Sequence, residues 1–313
     1  MTAPTATALR PQWDALPTGL RAGLADLLGG IAAADVQTGG FTPGLAARLR
    51  LAIGQHLFAK GIPSDHALAG KYRTEAETAR ALPATTPAPR LQWTGEIAEW
   101  VVLIFDDIEG RHPDLSPGSP DVPRVVAAVA GLAEVLTPSP LPQAPDATDE
   151  LAAIVHGWAE LADAPPLDLD PWECAHVNRL AEMESHWLRA AAGPTLLHGD
   201  INASNLLIDR TGGVHLIDWA QPACGAAWID IVDLIPHLIL AGHDPAAAEC
   251  AVADVPAWNG TDPEMITSYA VAFAGYWART CRQPAPPMVP YLRGYQRRAA
   301  GAALDWVRHR TGW

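Results

Sequence analysis

Thr195-Leu-Leu-His-Gly-Asp-Ile-Asn-Ala-Ser-Asn-Leu-Leu-Ile208, followed by Val214-His-Leu-Ile-Asp-Trp219, is the stretch on which the reading of this chain turns. An apolar strand runs into His198-Gly199-Asp200, and Asn205 follows five residues after the aspartate. Residues Asp209 to Gly213 have the composition of a hairpin turn, and the strand that returns from it ends at Asp218. Three oxygen-bearing side chains are thus delivered from strand ends to one place. Asp200 can orient an attacking hydroxyl and accept its proton. Asn205 and Asp218 offer hard oxygen donors suited to Mg²⁺ bridging triphosphate oxygens. Taken singly, each acid or amide reads as a turn or cap residue. Their order, with apolar strands between them, is what points to chemistry.

Composition narrows the setting. The 313 residues carry 21 basic and 35 acidic side chains, a net charge of −14. Residues 1–90 hold nine basic and six acidic groups, whereas 91–195 hold four against 18. A nucleic-acid partner is disfavoured, because phosphate backbones need a basic surface. The acidic segment reads either as solvated surface or as a surface that draws in a cationic ligand. No apolar run approaches the ~18–20 residues that span a bilayer. The opening Met1-Thr-Ala-Pro-Thr-Ala lacks the basic and then apolar regions of a secretory leader. A soluble cytoplasmic protein without a membrane partner is expected. Cys174, Cys224, Cys250 and Cys281 are widely spaced and form no C-x-x-C, so neither a zinc site nor a disulfide framework is suggested.

Upstream of the deciding stretch, residues 1–14 are Ala-, Thr- and Pro-rich and read as a flexible tail. Leu20, Leu24, Leu27 and Ile31 share one helical face within 16–31. The Gly-rich turn Gln37–Gly44 precedes the alternating Leu45, Ala47, Leu49 and Leu51. Ile53-Gly54 looks like a hairpin turn, and His56–Lys60 reads as the returning strand. A helix over 65–82 is followed by strands at Leu91–Thr94 and Trp100–Phe105. Beyond Gly110 the character changes: 147–162 and 171–190 read as helices, and most of the chain after 218 does too. The pattern is a small strand-rich lobe over 15–107, with a five-stranded sheet and a helix, then a larger helical lobe over 108–313.

At its catalytic stretch the chain resembles the aminoglycoside phosphotransferase / choline kinase-like family, a small-molecule branch of the protein-kinase fold that carries His-Gly-Asp where protein kinases carry His-Arg-Asp. The resemblance runs from about residue 35 to 300. It implies an α+β, bilobal protein-kinase-like fold with an antiparallel-sheet N-lobe and a mostly helical C-lobe. It also implies an enzyme that moves the γ-phosphate of ATP or GTP, with Mg²⁺, onto a hydroxyl of a small molecule. Kinase chemistry needs a strand lysine for the α/β-phosphates and a helix glutamate to hold it. Lys60 is one of only two lysines against nineteen arginines, and Glu75, preferred over Glu77, lies on the inward helix face. Gly39 and Gly40 fall where the family's phosphate-covering loop lies. Phe105-Asp106-Asp107-Ile108 would be the hinge, with the Asp106 carbonyl and the Ile108 amide toward the base. Asp230 matches an aspartate that braces the catalytic loop.

The departures bear on the acceptor. Asp218 is followed by Trp219-Ala220 rather than Phe-Gly, Asn202 stands where many Ser/Thr kinases have lysine, and no Ala-Pro-Glu segment follows. All three favour a small acceptor over a peptide. An antibiotic, aminoglycoside-like or a nucleoside or glycoside, is the first reading, with resistance by inactivation as its consequence. A metabolic kinase of choline or sugar type is the alternative, and a catalytically dead binding protein on the same fold is the third.

Overall fold

A computed structural model describes residues 8–313, and their packing divides them into two units. The first takes the described residues up to His112 together with Ser204–Gln221 and Ala285–Leu292; the second takes Pro113–Ala203, Pro222–Pro284 and Arg293–Trp313. Where the sequence reading draws one boundary at 107/108, the chain crosses between units several times. The hairpin carrying Asn205 and Asp218 packs with the first unit.

The first unit is built on strands β1 (Ile31–Val36), β2 (Leu45–Leu51), β3 (His56–Pro63), β4 (Leu91–Ile97) and β5 (Trp100–Asp106), with helix α1 (Thr18–Leu28) before them and α2 (Ala69–Ala81) between β3 and β4. Every pairing is antiparallel, in the order β1-β2-β3-β5-β4. In β2 the alternation of Leu45, Ala47, Leu49 and Leu51 is a buried face, packed with Leu20 and Leu24 of α1 and with Val102 and Ile104 of β5. The other face of β5, with Val101, Leu103 and Phe105, packs on Tyr72, Ala76 and Ala79 of α2. That is why Trp100–Phe105 reads as an unbroken apolar run: the strand is covered on both sides.

Glycines set two of the joints. Gly29 and Gly30 take φ of 71° and 100°, which stops α1 after Leu28 and frees Ile31 to open β1 rather than extend the helix, as its spacing suggested. A Cβ at Gly44 (φ 109°) would run into the carbonyl of Gly61, so only glycine allows β2 to enter this close to β3. Of the stretch read as a tail, residues 1–7 lie outside the described residues. Ala8 and Leu9 are fastened: their N–H groups donate to the carbonyls of Gly40 (3.0 Å) and Met288 (2.7 Å).

The second unit is mainly helical, with long helices at Asp121–Val135, Pro171–Met183, Trp228–Leu240 and Pro263–Thr280. Strands Thr195–Leu197 and Ala223–Gly225 pair antiparallel within it. The helix read over 147–162 is instead two short ones, Ala147–Glu150 and Trp158–Asp163. The reason is packing at Gly157, where a Cβ would strike the Gly275 carbonyl. The second short helix starts there because buried Glu184 accepts the N–H groups of Gly157 (2.9 Å), Trp158 (2.8 Å) and Ala159 (2.8 Å). A carboxylate at that end satisfies orphan donors and the helix dipole together. Likewise, the segment read as one helix over 171–190 ends at Met183 and continues as a tighter 3₁₀ turn, His186–Ala190. Trp158, Trp187, Trp228, Trp277 and Trp306 are all core residues of the helical part.

Candidate active site

Lys60 lies on β3 and Glu75 on α2, so the strand and the helix that packs on the sheet bring them together. The Lys60 ammonium donates to both Glu75 oxygens, at 2.8 and 2.6 Å, and to Asp218 Oδ1 at 2.9 Å. Glu77 is exposed on the far side of α2. Burial works against the charge on Lys60, but Asp218 and Glu75 outweigh it and hold the ammonium above its ordinary value. Glu75 shares its cation with a second anion. Burial therefore pushes its carboxyl up, to about 7, with Asp218 adding to the rise and Lys60 opposing it. The Tyr72 ring closes the cluster 5.5 Å from the ammonium, and burial raises its phenol to about 12.

The returning strand runs Val214–Leu216, and Asp218 follows two residues beyond it with φ of 66°, a left-handed conformation that aspartate tolerates but that is uncommon outside glycine. The N–H of the preceding Ile217 donates to the carbonyl of Asn205 at 2.9 Å, tying the two oxygen-bearing residues at one end of the hairpin. Both line a cavity of about 350 Å³ with Lys60, Gly39 and Gly40. The cavity continues over Ala46, Phe58, Phe105 and Ile217 to the segment Asp106–Ile108. That size and apolar lining, with a few convergent polar groups, suit a small ligand.

The segment after β5 is fixed by a residue the sequence reading passed over. Arg48 reaches from β2 to the Asp107 carboxylate (Nε to Oδ1, 3.1 Å) and donates to the Ile108 carbonyl (2.8 Å). Its only sequence signal is a charge set among Leu45, Ala47, Leu49 and Leu51, on the opposite face of the strand. Arg10, from the stretch read as a tail, also lines the cavity. Nothing in its Ala/Thr/Pro-rich surroundings singled it out.

Asp200 belongs to the second unit, five residues before Asn205 in the chain. Asn202 Nδ2 donates to Asp200 Oδ1 at 3.0 Å and to its carbonyl at 3.2 Å. Within this unit, Tyr276 and Tyr295 have phenols raised first by burial and then by the Asp200 charge. The loop that carries Asp200 is held by Asp230, whose oxygens accept the N–H groups of His198 (2.8 Å) and Gly199 (3.1 Å). Burial raises the Asp230 carboxyl above its ordinary value. Eight of the nine residues singled out by sequence thus gather in the first unit: Lys60, Glu75, Gly39, Gly40, Asp106, Ile108, Asn205 and Asp218. Asp200 is positioned separately by the second.

A model of the phosphotransferase enzyme family matches residues 19–263, well over half of the chain. No curated protein matches it in sequence. Among solved structures, the choline kinase LicA from Streptococcus pneumoniae is similar with a TM-score of 0.63 at 13% identity, over 92% of this chain and 97% of that one. An aminoglycoside phosphotransferase from Alicyclobacillus acidocaldarius gives 0.57 at 13% identity, over 96% and 98%. The GDP and kanamycin complex of APH(2")-IIia gives 0.59 at 11% identity, over 90% and 94%. The fold is the α+β, kinase-like architecture with an antiparallel-sheet N-terminal lobe and a helical C-terminal lobe. The chain belongs to the phosphotransferase enzyme family, as a small-molecule phosphotransferase.

Proposed function

We propose that this enzyme transfers the γ-phosphate of ATP or GTP to a hydroxyl of an antibiotic, and so inactivates it in the cytoplasm. The observation that carries the reading is Lys60, bonded to both Glu75 and Asp218 in one cavity with Gly39, Gly40 and the Asp106–Ile108 segment. A base would lie against Phe58, Phe105 and Ile217, with Asp106 and Ile108 reading its edge. The phosphates would meet Lys60 and the amides of Gly39 and Gly40. Asn205 and Asp218 fit Mg²⁺, which takes one or two protein oxygens beside phosphate oxygens and water. Bound there, the ion would neutralise charge on the phosphates.

Asp200 is assigned as the base, held in orientation by Asn202. The acceptor oxygen forms its bond to the γ-phosphorus as the bond from phosphorus to the diphosphate breaks. The diphosphate leaves with that electron pair, and the hydroxyl proton passes to Asp200. The work of the protein is positioning and charge compensation. A metabolic kinase of choline or sugar type would use the same residues, and the likeness to a choline kinase favours keeping small alcohols in view. The test is a mixed panel of aminoglycosides, nucleoside and glycoside antibiotics, choline and sugars, incubated with ATP or GTP and Mg²⁺ and read by mass spectrometry. Gain of one phosphoryl group by an antibiotic supports the reading. Phosphorylation of choline or a sugar alone replaces it with the metabolic one.

A further inference from the structure

Arg10 enters the cavity of the first unit through the inner side of the Gly-rich loop. Its Nε donates to the Thr42 carbonyl at 3.1 Å and its Nη1 to the Gln37 carbonyl at 2.8 Å. Those two carbonyls flank Gly39 and Gly40. Nη2 lies against Gly40, 3.3 Å from where a Cβ would stand. Ala8, two residues before, is bonded to Gly40 in its turn. The guanidinium shares the cavity with Lys60 and Asp218. Burial lowers it from its ordinary value while the charges of Tyr72 and Asp218 raise it, and an arginine remains a cation throughout the physiological range.

A half-buried cation is costly to desolvate unless an anion meets it. Two backbone carbonyls use two of its five N–H donors. The rest of the fork suits the oxygens of a phosphate better than a lysine's point charge does. The loop it braces has no G-x-G-x-x-G, so a side-chain donor placed here adds what further backbone amides would otherwise supply. We propose that Arg10 is a phosphate-binding residue of this enzyme, its guanidinium donating to the non-bridging oxygens of the nucleotide's triphosphate beside Lys60. The inference rests on the nucleotide reading above, and it makes the segment before α1 part of the phosphate-covering loop.

Calorimetric titration of the full chain with ATP, GTP, adenosine and guanosine, in Mg²⁺, tests it on wild type, Arg10→Met and Arg10→Lys. The Met variant should bind the triphosphate roughly 10- to 100-fold more weakly, the worth of one or two charged hydrogen bonds, and the nucleoside as wild type does. The Lys variant should recover part of the loss. Equal weakening of nucleoside and triphosphate would show Arg10 to be only a brace for the loop, and so would unchanged binding of both; either result overturns the proposal. Failure of wild type to bind any of the four would bring down the nucleotide reading itself, and the proposal with it.

Discussion

Around Lys60 the first unit holds a buried cation between two carboxylates, each with an oxygen within 3 Å of the ammonium. The second unit buries Asp230 and Asp233, three residues apart on the helix Trp228–Leu240, and holds them with uncharged donors. Asp230 accepts two backbone N–H groups, and Asp233 Oδ1 accepts the Tyr269 hydroxyl at 2.6 Å. Burial drives both of these carboxyls upward, Asp233 furthest. The two arrangements suit different tasks. A cation shared by two anions can exchange one of them for a phosphate oxygen at small cost. Carboxylates held by N–H and O–H donors have no reason to let go: Asp230 braces the loop that carries Asp200, and Asp233 ties its helix to Tyr269.

Substituting the cation should break that contrast most severely. Lys60→Met is expected to lower kcat/KM by ~10²–10³-fold. It should also cost about 3–5 kcal/mol of stability in urea unfolding, because Glu75 is left buried and unpaired. Adding Glu75→Gln should restore most of the stability and none of the activity. Recovery of both would mean that the pair is only structural.

His237, on the same helix as Asp230, is buried, and burial lowers its value to about 4. Protonation therefore favours the unfolded chain. The stability that neutral His237 contributes is complete above the ordinary value near 6.5 and is lost as pH falls toward 4. Relative to His237→Leu, wild type should lose about 3 kcal/mol across that interval. Parallel stability curves for the two proteins would show that burial does not hold the imidazole neutral. Glu184→Gln should cost about 2 kcal/mol, since one amide oxygen cannot replace a carboxylate accepting three N–H groups.

The smallest effect should come from the second cluster. Asp233→Asn keeps an acceptor for Tyr269 and removes a buried acid whose folded value is raised. Wild type should lose stability as pH rises above the ordinary value near 3.8, and the variant should not. The difference at pH 7 is expected within about 1 kcal/mol and in the variant's favour. A large destabilisation that grows with pH would place Asp233 with Lys60 as a charge that must be ionised.

What the sequence made legible follows local rules. The alternation in β2, the doubly buried β5 and the ordered His198–Asp218 stretch each carry their own period or motif, and those positions gather the cavity. The positions that escaped depend on distant partners. Nothing near residue 157 announces that its helix must break, because the cause is the backbone of Gly275 and the carboxylate of Glu184. Arg10 and Arg48 act through carbonyls and a carboxylate that are remote in sequence. The acidity of 91–195 is also largely spoken for within the fold. Asp107 meets Arg48, Glu160 meets Arg279, Asp168 and Glu173 meet Arg282, and Asp170 caps its own helix. A count of charge could not separate those uses from a surface that attracts a cation.

The most direct trial of the central claim is phosphoryl transfer by Asp200→Asn, measured with nucleotide affinity on the same preparation and with the acceptor found by the panel. The base assignment predicts that turnover falls ~10²–10⁴-fold while nucleotide affinity holds, since the cavity of Lys60, Asn205 and Asp218 is built in the other unit. Turnover near that of wild type would contradict it, and so would a loss of nucleotide affinity that accounts for the whole decline.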